Sequence, residues 1–549
     1  MDSLDTAAST STITLNPLDY IPPRNYVRVL FPFPLDPGVG YSVVYDDLQK
    51  SLRKTFVQEP WASGKVFRQP TTAADWRPGQ LEIRFQQRYP AVDGPPPHQL
   101  RYHELDTDWS YPELREAGFP SDVFSEETLL LAAPRLGDVD ADGGADVLLA
   151  QANFLPGGLL LALTTCHAAT DGAGMVGLLK LWGENFRELH GREREGQIAA
   201  SPFTAEDHDR TLPDRIWERT RSALREAGQQ GADSDDDDPW LRGLVCLDSD
   251  YPGDDVPGTT TTRPSNSLQP LSAQASDGSW SSDGRGRMLN RIMFLSAHDL
   301  AALKTECASF VPAPPPSLDS SSSESPSSPL TVSDAINALL WRTLLRARIA
   351  AAATRSPAAS QPPMDPISVF ESPIDIRSTF GPGFPAHYLG NCFLLNTARM
   401  PLADLIAPAT PLGLVAHALR QNAARLAPDA VQAAYGVLRS TPDLSRVRGR
   451  FVERVDSSDL LVSNLMAFPV HEIDFGRRYC ATVGNSGGGV PQALRVLHGQ
   501  YAPFVRLAHV LPISRAHGGV EISINLFEDE MVFFDQDEEV LRFLVPVEV

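Results

Sequence analysis

Nine residues, GLLLALTTC (158–166), constrain this chain more than any other stretch. The run is strongly apolar, opens after the turn Pro156–Gly157–Gly158, and ends at His167. Its length and its bounding turn read as a buried strand. Small residues at 168, 169, 172, 173 and 174 surround Asp171, and AGMVGLLKLWGENFREL (173–189) follows. Val176, Leu179, Trp182, Gly183 and Phe186 fall near one face of a helix there. The unit is strand, loop with a histidine and an acid, then helix.

Other elements repeat the mixture. GQLEIRFQQR (79–88), DVLLAQANFL (146–155) and VEISINLF (520–527) read as strands, the last entered through the Gly518–Gly519 turn. TVSDAINALLWRTLLRARIA (331–350) reads as a long helix with Ser333 or Asp334 as N-cap. No strict strand–helix alternation and no Gly-rich phosphate loop occur, so an α/β chain with mixed sheets in two halves is expected. One half covers 15–225 and the other 291–549, with 226–290 between them as a disordered or crossover linker. The segments 251–287 and 312–329 are rich in Gly, Ser, Thr and Pro and cannot bury much apolar surface. Residues 354–366 read as an exposed loop, and residues 1 to about 15 as a loose polar start.

Composition narrows the partners. A net charge of −22 repels phosphate backbones, which excludes nucleic acid. Part of that charge is the solvated run DSDDDD (233–238). Five scattered cysteines (166, 246, 307, 392, 480) without a CxxC pair fit free thiols in a reducing compartment. The start MDSLDTAAST has no basic and apolar leader pattern, and no run of 18 apolar residues exists. A cytoplasmic monomer with no membrane contact is expected.

His167 admits two readings: a structural histidine at a strand end, or a base beside a cavity. Its unperturbed pKa near 6.5 suits proton transfer near neutrality. The His-x-x-x-Asp spacing alone recurs about once by chance in a chain of this composition; the small residues beside the ring are the stronger sign, since a substrate needs that space. Asp171 either orients the imidazole or pins the loop by pairing with a distant arginine, and the second is favoured. Adjacent strand residues face opposite ways, so Cys166 is a buried small hydrophobe and not a partner of His167. His167, Asp171 and His190 lack metal-ligand spacing. GNSGG (484–488) formally matches a nucleophile elbow, but His498, His509 and His517 all precede Asp529, so the order of a hydrolase triad is absent after it.

Several landmarks then fall in one order. HAATDG (167–172), SPIDIRSTFGPGFPAHYLGN (372–391), EIDFG (472–476) and HGGVEISINLFEDEMVFF (517–534) resemble the motifs of the BAHD acyltransferase superfamily. LNPLDYIPPRNYVRVLFPFPL (15–35) resembles the opening of its fungal branch, related to the trichothecene 3-O-acetyltransferases. The resemblance spans about 15 to 545. It implies two chloramphenicol-acetyltransferase-like domains joined by a long crossover, with a solvent channel reaching His167 from both faces. It also implies acyl-CoA, acetyl-CoA for preference, as co-substrate with no bound cofactor or metal, and a hydroxylated small molecule as acceptor. His167 is then the general base and Asp171 its loop anchor, paired with Arg377. Asp474 and Gly476 of the Asp-Phe-Gly block act structurally, and Asn391 lies near the channel.

Two departures stand out. Leu465 occupies the position, nine before Asp474, where the family often has a tryptophan, so Ser463, Asn464 or a backbone N–H would supply a hydrogen bond to the oxyanion or substrate. The block also runs on as DFGRRYCATVGNSGGGVP, a remodelled loop in which Arg477 and Arg478 either meet CoA phosphates or are solvated. The other readings are N-acylation, a condensation-type enzyme with a carrier-protein thioester, and an inactive binding relative. Condensation domains carry two consecutive histidines, and Cys166 stands in the first place here.

Overall fold

Leu159 to Leu163 are buried, and the strand they belong to, Gly158–Cys166, sits inside a five-stranded sheet. In order, that sheet is Arg495–Val496, Tyr26–Pro34, Gly158–Cys166, Leu148–Leu155 and Leu100–Glu104. All its pairings are antiparallel except the last, between Leu100–Glu104 and Leu148–Leu155. The computed structural model describes residues 10–87, 89, 96–120, 123–130, 143–189, 200–226, 238–247, 286–310, 329–355, 366–449, 457–480, 489–498, 506–513 and 518–547.

A second sheet has seven strands, ordered Phe393–Pro401, Ile367–Asp375, Leu460–Asn464, Leu507–Val510, Val520–Phe527, Met288–Leu295 and Val545–Pro546. The two pairings made by Leu460–Asn464 are parallel and the rest antiparallel. Helix Val332–Arg355 covers one face, where Trp341 is fully buried and donates to Ser368 Oγ at 2.8 Å. The fold is α/β with mixed sheets flanked by helices, as expected. A small four-stranded sheet lies beside the first: Thr10–Thr14, Leu81–Gln86, Lys65–Arg68 and Ala145–Asp146.

Four details differ from the reading of the sequence. Thr10–Thr14 is a strand, because its backbone finds a full antiparallel partner in residues 82–86. Thr331, not Ser333 or Asp334, starts the long helix: its Oγ1 accepts from Asp334 N at 3.2 Å while Asp334 returns a bond to Thr331 N at 2.7 Å. Within 226–290, helix Pro239–Leu244 is capped by Asp238 and buries Leu241 and Leu244, so that stretch is not all linker. Arg495–Val496 pairs with Leu30 and Val29, so a strand from the second half of the chain completes the first sheet. Most of 312–329, of 354–366 and of the remodelled loop with GNSGG falls outside the described residues, as does His190.

Candidate active site

The apolar strand delivers His167 just past its last paired residue. His167 N donates to Asn25 O at 2.8 Å, which fixes the backbone at the turn. Cys166, Ala168 and Ala169 are fully buried, whereas His167 is half-buried, with its ring 6.1 Å from the ring of Phe393. The imidazole Nδ1 is enclosed and has no well-directed hydrogen bond. Burial lowers the pKa of the ring below 6.5, against backbone groups of His167 and Thr170, the charge of Asp171 and the Asn391 side chain. A neutral imidazole at pH 7 is the consequence. Burial pushes the Cys166 thiol up to about 12, which removes it as a nucleophile.

Asp171 does not face the imidazole as a hydrogen-bond partner. It caps helix Gly172–Glu188, accepting from Gly174 N at 3.0 Å. Both its oxygens also meet Arg377 Nη2, at 2.9 and 2.8 Å, and Oδ2 accepts from Cys392 N at 3.1 Å. Arg377 in turn donates to the carbonyls of Tyr388 and Gly390 and to Asp375. Burial disfavours its charge, but Asp171 and Asp375 outweigh that and raise its pKa further. The pair is therefore buried and fully hydrogen-bonded, the condition under which a buried ion pair holds its geometry. Gly174 is needed here: a Cβ would lie 2.7 Å from the carbonyl oxygen of Leu389 and 2.2 Å from Thr170 Oγ1.

A second buried pair lies under the same loop, and sequence reasoning missed it. Arg210 meets Asp19 Oδ1 at 3.1 Å and donates to Ala169 O at 2.5 Å. Asn391 donates from N and from Nδ2 to Asp19 Oδ1, both at 3.0 Å, and from Nδ2 to His167 O at 2.8 Å. Asn391 is thus a fully buried brace beneath His167. One local signal for Asp19 existed: Asn16-Pro-Leu-Asp19 is a reciprocal cap with proline at its first helical position.

The Asp-Phe-Gly block holds the far end of the same helix. Asp474 pairs with Arg187 at 2.8 Å and accepts from Gly476 N at 2.7 Å. Phe475 packs edge-on against Phe33, Trp182 and Phe186. Gly476 has φ +78, which favours glycine. Ser463 and Asn464 end strand Leu460–Asn464 and are half-buried. Asn464 Oδ1 accepts from Met466 N at 3.1 Å, while its Nδ2 is enclosed without a partner. The turn that follows brings Phe468 against Gly172, where a Cβ would lie 2.3 Å from the phenyl ring. Arg478 lies over Tyr479 and donates to its hydroxyl at 2.9 Å.

Two mixed sheets bracing a His-x-x-x-Asp-Gly loop define the fold class of BAHD-type acyltransferases. The chain belongs to the transferase family, whose family model matches residues 265–541, and the trichothecene 3-O-acetyltransferase-like N-terminal domain matches residues 25–184. It is 25% identical over 528 residues to trichothecene 3-O-acetyltransferase TRI101 of Fusarium sporotrichioides, covering 94% of this chain and 93% of that one. It is 27% identical over 543 residues, 97% of this chain, to the isocyanide synthase-NRPS hybrid crmA of Aspergillus fumigatus. The chain spans about a third of the length of that hybrid and of enoyl-CoA isomerase/hydratase claC of Penicillium crustosum, 31% and 35%. The crystal structure of F. sporotrichioides TRI101 complexed with coenzyme A and T-2 shares the fold. It has a TM-score of 0.62 and 21% identity, with 98% of this chain and 100% of that chain covered. Among the described residues, no helix is long and apolar enough to cross a membrane.

Proposed function

We propose that this protein transfers an acyl group, acetyl for preference, from acyl-CoA to a hydroxyl of a small-molecule secondary metabolite, with His167 as general base. The observation that carries this reading is the state of His167. It is half-buried, biased to the neutral form, and set on a loop braced from below by Asn391 and from the side by Asp171 and Arg377. Among the described residues, none in that arrangement is placed as a nucleophile, and the route read here is direct attack.

The acceptor hydroxyl gives its proton to the imidazole as its oxygen bonds to the thioester carbonyl carbon. The carbonyl becomes an oxyanion, then re-forms as the C–S bond breaks. The thiolate leaves and takes the proton back from the imidazolium, so the base is regenerated and ester and CoA thiol are released. A positioned general base contributes about 10²–10⁴ in rate, or roughly 3–5 kcal/mol. Asn464, whose Nδ2 lacks a partner, suits the oxyanion better than Ser463, and no tryptophan donor stands at position 465. Asp171, Arg377 and Asn391 hold the loop, while Asp474 and Gly476 sit at the far end of the helix; none of them takes a proton.

The test is thiol release and product mass with a panel of acyl-CoA donors and hydroxylated acceptors. His167→Ala should lower transfer at least a hundredfold with an unchanged circular dichroism spectrum; near-normal turnover in that variant would sink the mechanism. A second reading, with a carrier-protein thioester as donor, is favoured by the match of 97% of the chain to part of an NRPS hybrid. Transfer from a loaded carrier protein with none from any acyl-CoA would select it.

A further inference from the structure

This mechanism leaves two buried histidines unused. The rings of His498 and His509 lie 5.0 Å apart between centroids. His509, on strand Leu507–Val510, is level with Ser463 on one neighbouring strand and Ser523 on the other. His498 follows the guest strand Arg495–Val496, and its Nε2 lies 3.3 Å from Ser523 Oγ. Asn290 Nδ2 donates to that hydroxyl at 2.8 Å and to Asn525 Oδ1 at 2.6 Å.

All but His498 come from one face of the seven-stranded sheet. Val462, Ala508, Ile522, Ile524, Ala398 and Met400 enter the core under helix Val332–Arg355. Side chains alternate along a strand, so Ser463, His509, Ser523 and Asn525 share the opposite face with Phe393. Phe393 is the residue whose ring meets His167. Three strand steps separate it from His509, roughly 14 Å at about 4.8 Å each, the length of a multi-ring small molecule.

Two polar atoms on this face are enclosed and unpartnered: His509 Nδ1 and Asn525 Nδ2. A buried polar atom without a partner is costly, so two together on one face point to an absent partner. Ser463 and Asn290 are half-buried, which leaves the row open at its edges. The row does not suit an anion. Arg495 beside it is held by Glu521 at 2.8 and 3.0 Å and by the carbonyls of Gly118 and Phe119. Burial lowers the pKa of His498 to about 4 and that of His509 still more clearly, so both rings are neutral near pH 7. A neutral imidazole offers one N–H and one lone pair.

We infer that this row, centred on His509, is the acceptor-recognition subsite, and that it takes an uncharged oxygen of the acceptor: a carbonyl, an ether or a second hydroxyl. The inference rests on the acyl-transfer reading and takes the face leading from Phe393 as the acceptor side. His509 is then a specificity residue, because a site built to hydrogen-bond an oxygen discriminates against an analogue that lacks it.

The test uses the full chain labelled with 15N-histidine and two probes. 4-Hydroxycyclohexanone carries a hydroxyl and a carbonyl; cyclohexanol carries the hydroxyl alone. In the wild type, the first probe should shift the His498 and His509 imidazole resonances and bind at least tenfold more tightly than the second. His509→Leu should erase that difference and His509→Gln should restore part of it. Ser523→Ala, a smaller change, should narrow the difference and serves if the leucine variant does not fold. Equal affinity for the two probes in the wild type, or a preference that survives His509→Leu, would overturn the inference. Acetyl transfer to the probes is followed in parallel. Transfer without any resonance shift sinks the subsite alone, whereas shifts with no transfer sink the acyl-transfer reading and leave the row only as a binding site for an uncharged oxygen.

Discussion

Helix Gly172–Glu188 carries an acid–arginine contact at each end, and the two differ in everything but distance. At its start, Asp171 meets Arg377 at 2.8 Å with both side chains under a tenth exposed. At its end, Arg187 meets Asp474 at 2.8 Å with 42% and 37% of the side chains exposed. Around the first, a helix N–H, the Cys392 N–H and the carbonyls of Tyr388 and Gly390 use the remaining hydrogen-bonding capacity. Around the second, Asp474 Oδ1 keeps one backbone bond, from Gly476 N, and the rest of the two side chains is open to solvent. The same chemistry therefore fixes a loop in one place and decorates a surface in the other, because Coulomb attraction at close range is strong only where solvent is excluded.

The sharpest way to break this comparison is to remove the buried acid. Asp171→Ala leaves the Arg377 charge buried beside its remaining partners and strips the helix of its cap. Loss of one member of a buried pair costs about 3–5 kcal/mol, with about 1 kcal/mol more for the cap. Chemical denaturation should show a drop of that size, and acyl transfer should fall with it as the His167 loop loses its brace. An unchanged denaturation midpoint would mean the first contact is no stronger than the second.

Proton transfer separates the two ends more finely. Burial places the His167 pKa below 6.5, so the basic form persists above that lowered value. Transfer rate should hold down to pH 6.5 and fall as pH drops through the lowered pKa, since protonation removes the base. Asp171 is one of the groups that raise this pKa, whereas Asp474 is not among them. In Asp171→Asn the acid limb of the pH–rate profile should move to lower pH; in Asp474→Asn it should stay. A limb centred above 6.5 in the wild type would contradict the desolvated environment of the ring.

What could be read in the sequence follows the range of the interaction. Gly158–Cys166 and Gly172–Glu188 were legible because apolar run and periodicity are written within each element. The Asp171–Arg377 pairing was legible only through the motif resemblance, since 206 residues separate them. Asp19 and Arg210 were not legible as a brace. Asp19 meets Asn391 across 372 residues, and the local cap it forms with Asn16 does not say what its carboxylate will be buried against. The same holds for Arg495–Val496, whose two residues carry no pattern of their own and become a strand only because Val29 and Leu30 leave an edge to pair with.

The smallest effect belongs to the exposed end. Arg187→Ala and Asp474→Ala should each cost no more than about 1 kcal/mol, the range of solvent-exposed ion pairs, and salt should diminish even that. Two features make the prediction specific. Phe475 is anchored by its three aromatic neighbours and by its own N–H to Gly489 O at 2.8 Å, neither of which needs the ion pair. Asp474 Oδ1 accepts from Gly476 N, a bond that Arg187→Ala keeps and Asp474→Ala removes. The two variants should therefore differ slightly, with Asp474→Ala the more destabilised, when compared by denaturation at low and high ionic strength. If Arg187→Ala instead costs as much as Asp171→Ala, exposure does not govern the strength of these contacts, and the helix is held from its C-terminal end as firmly as from the end that carries the histidine.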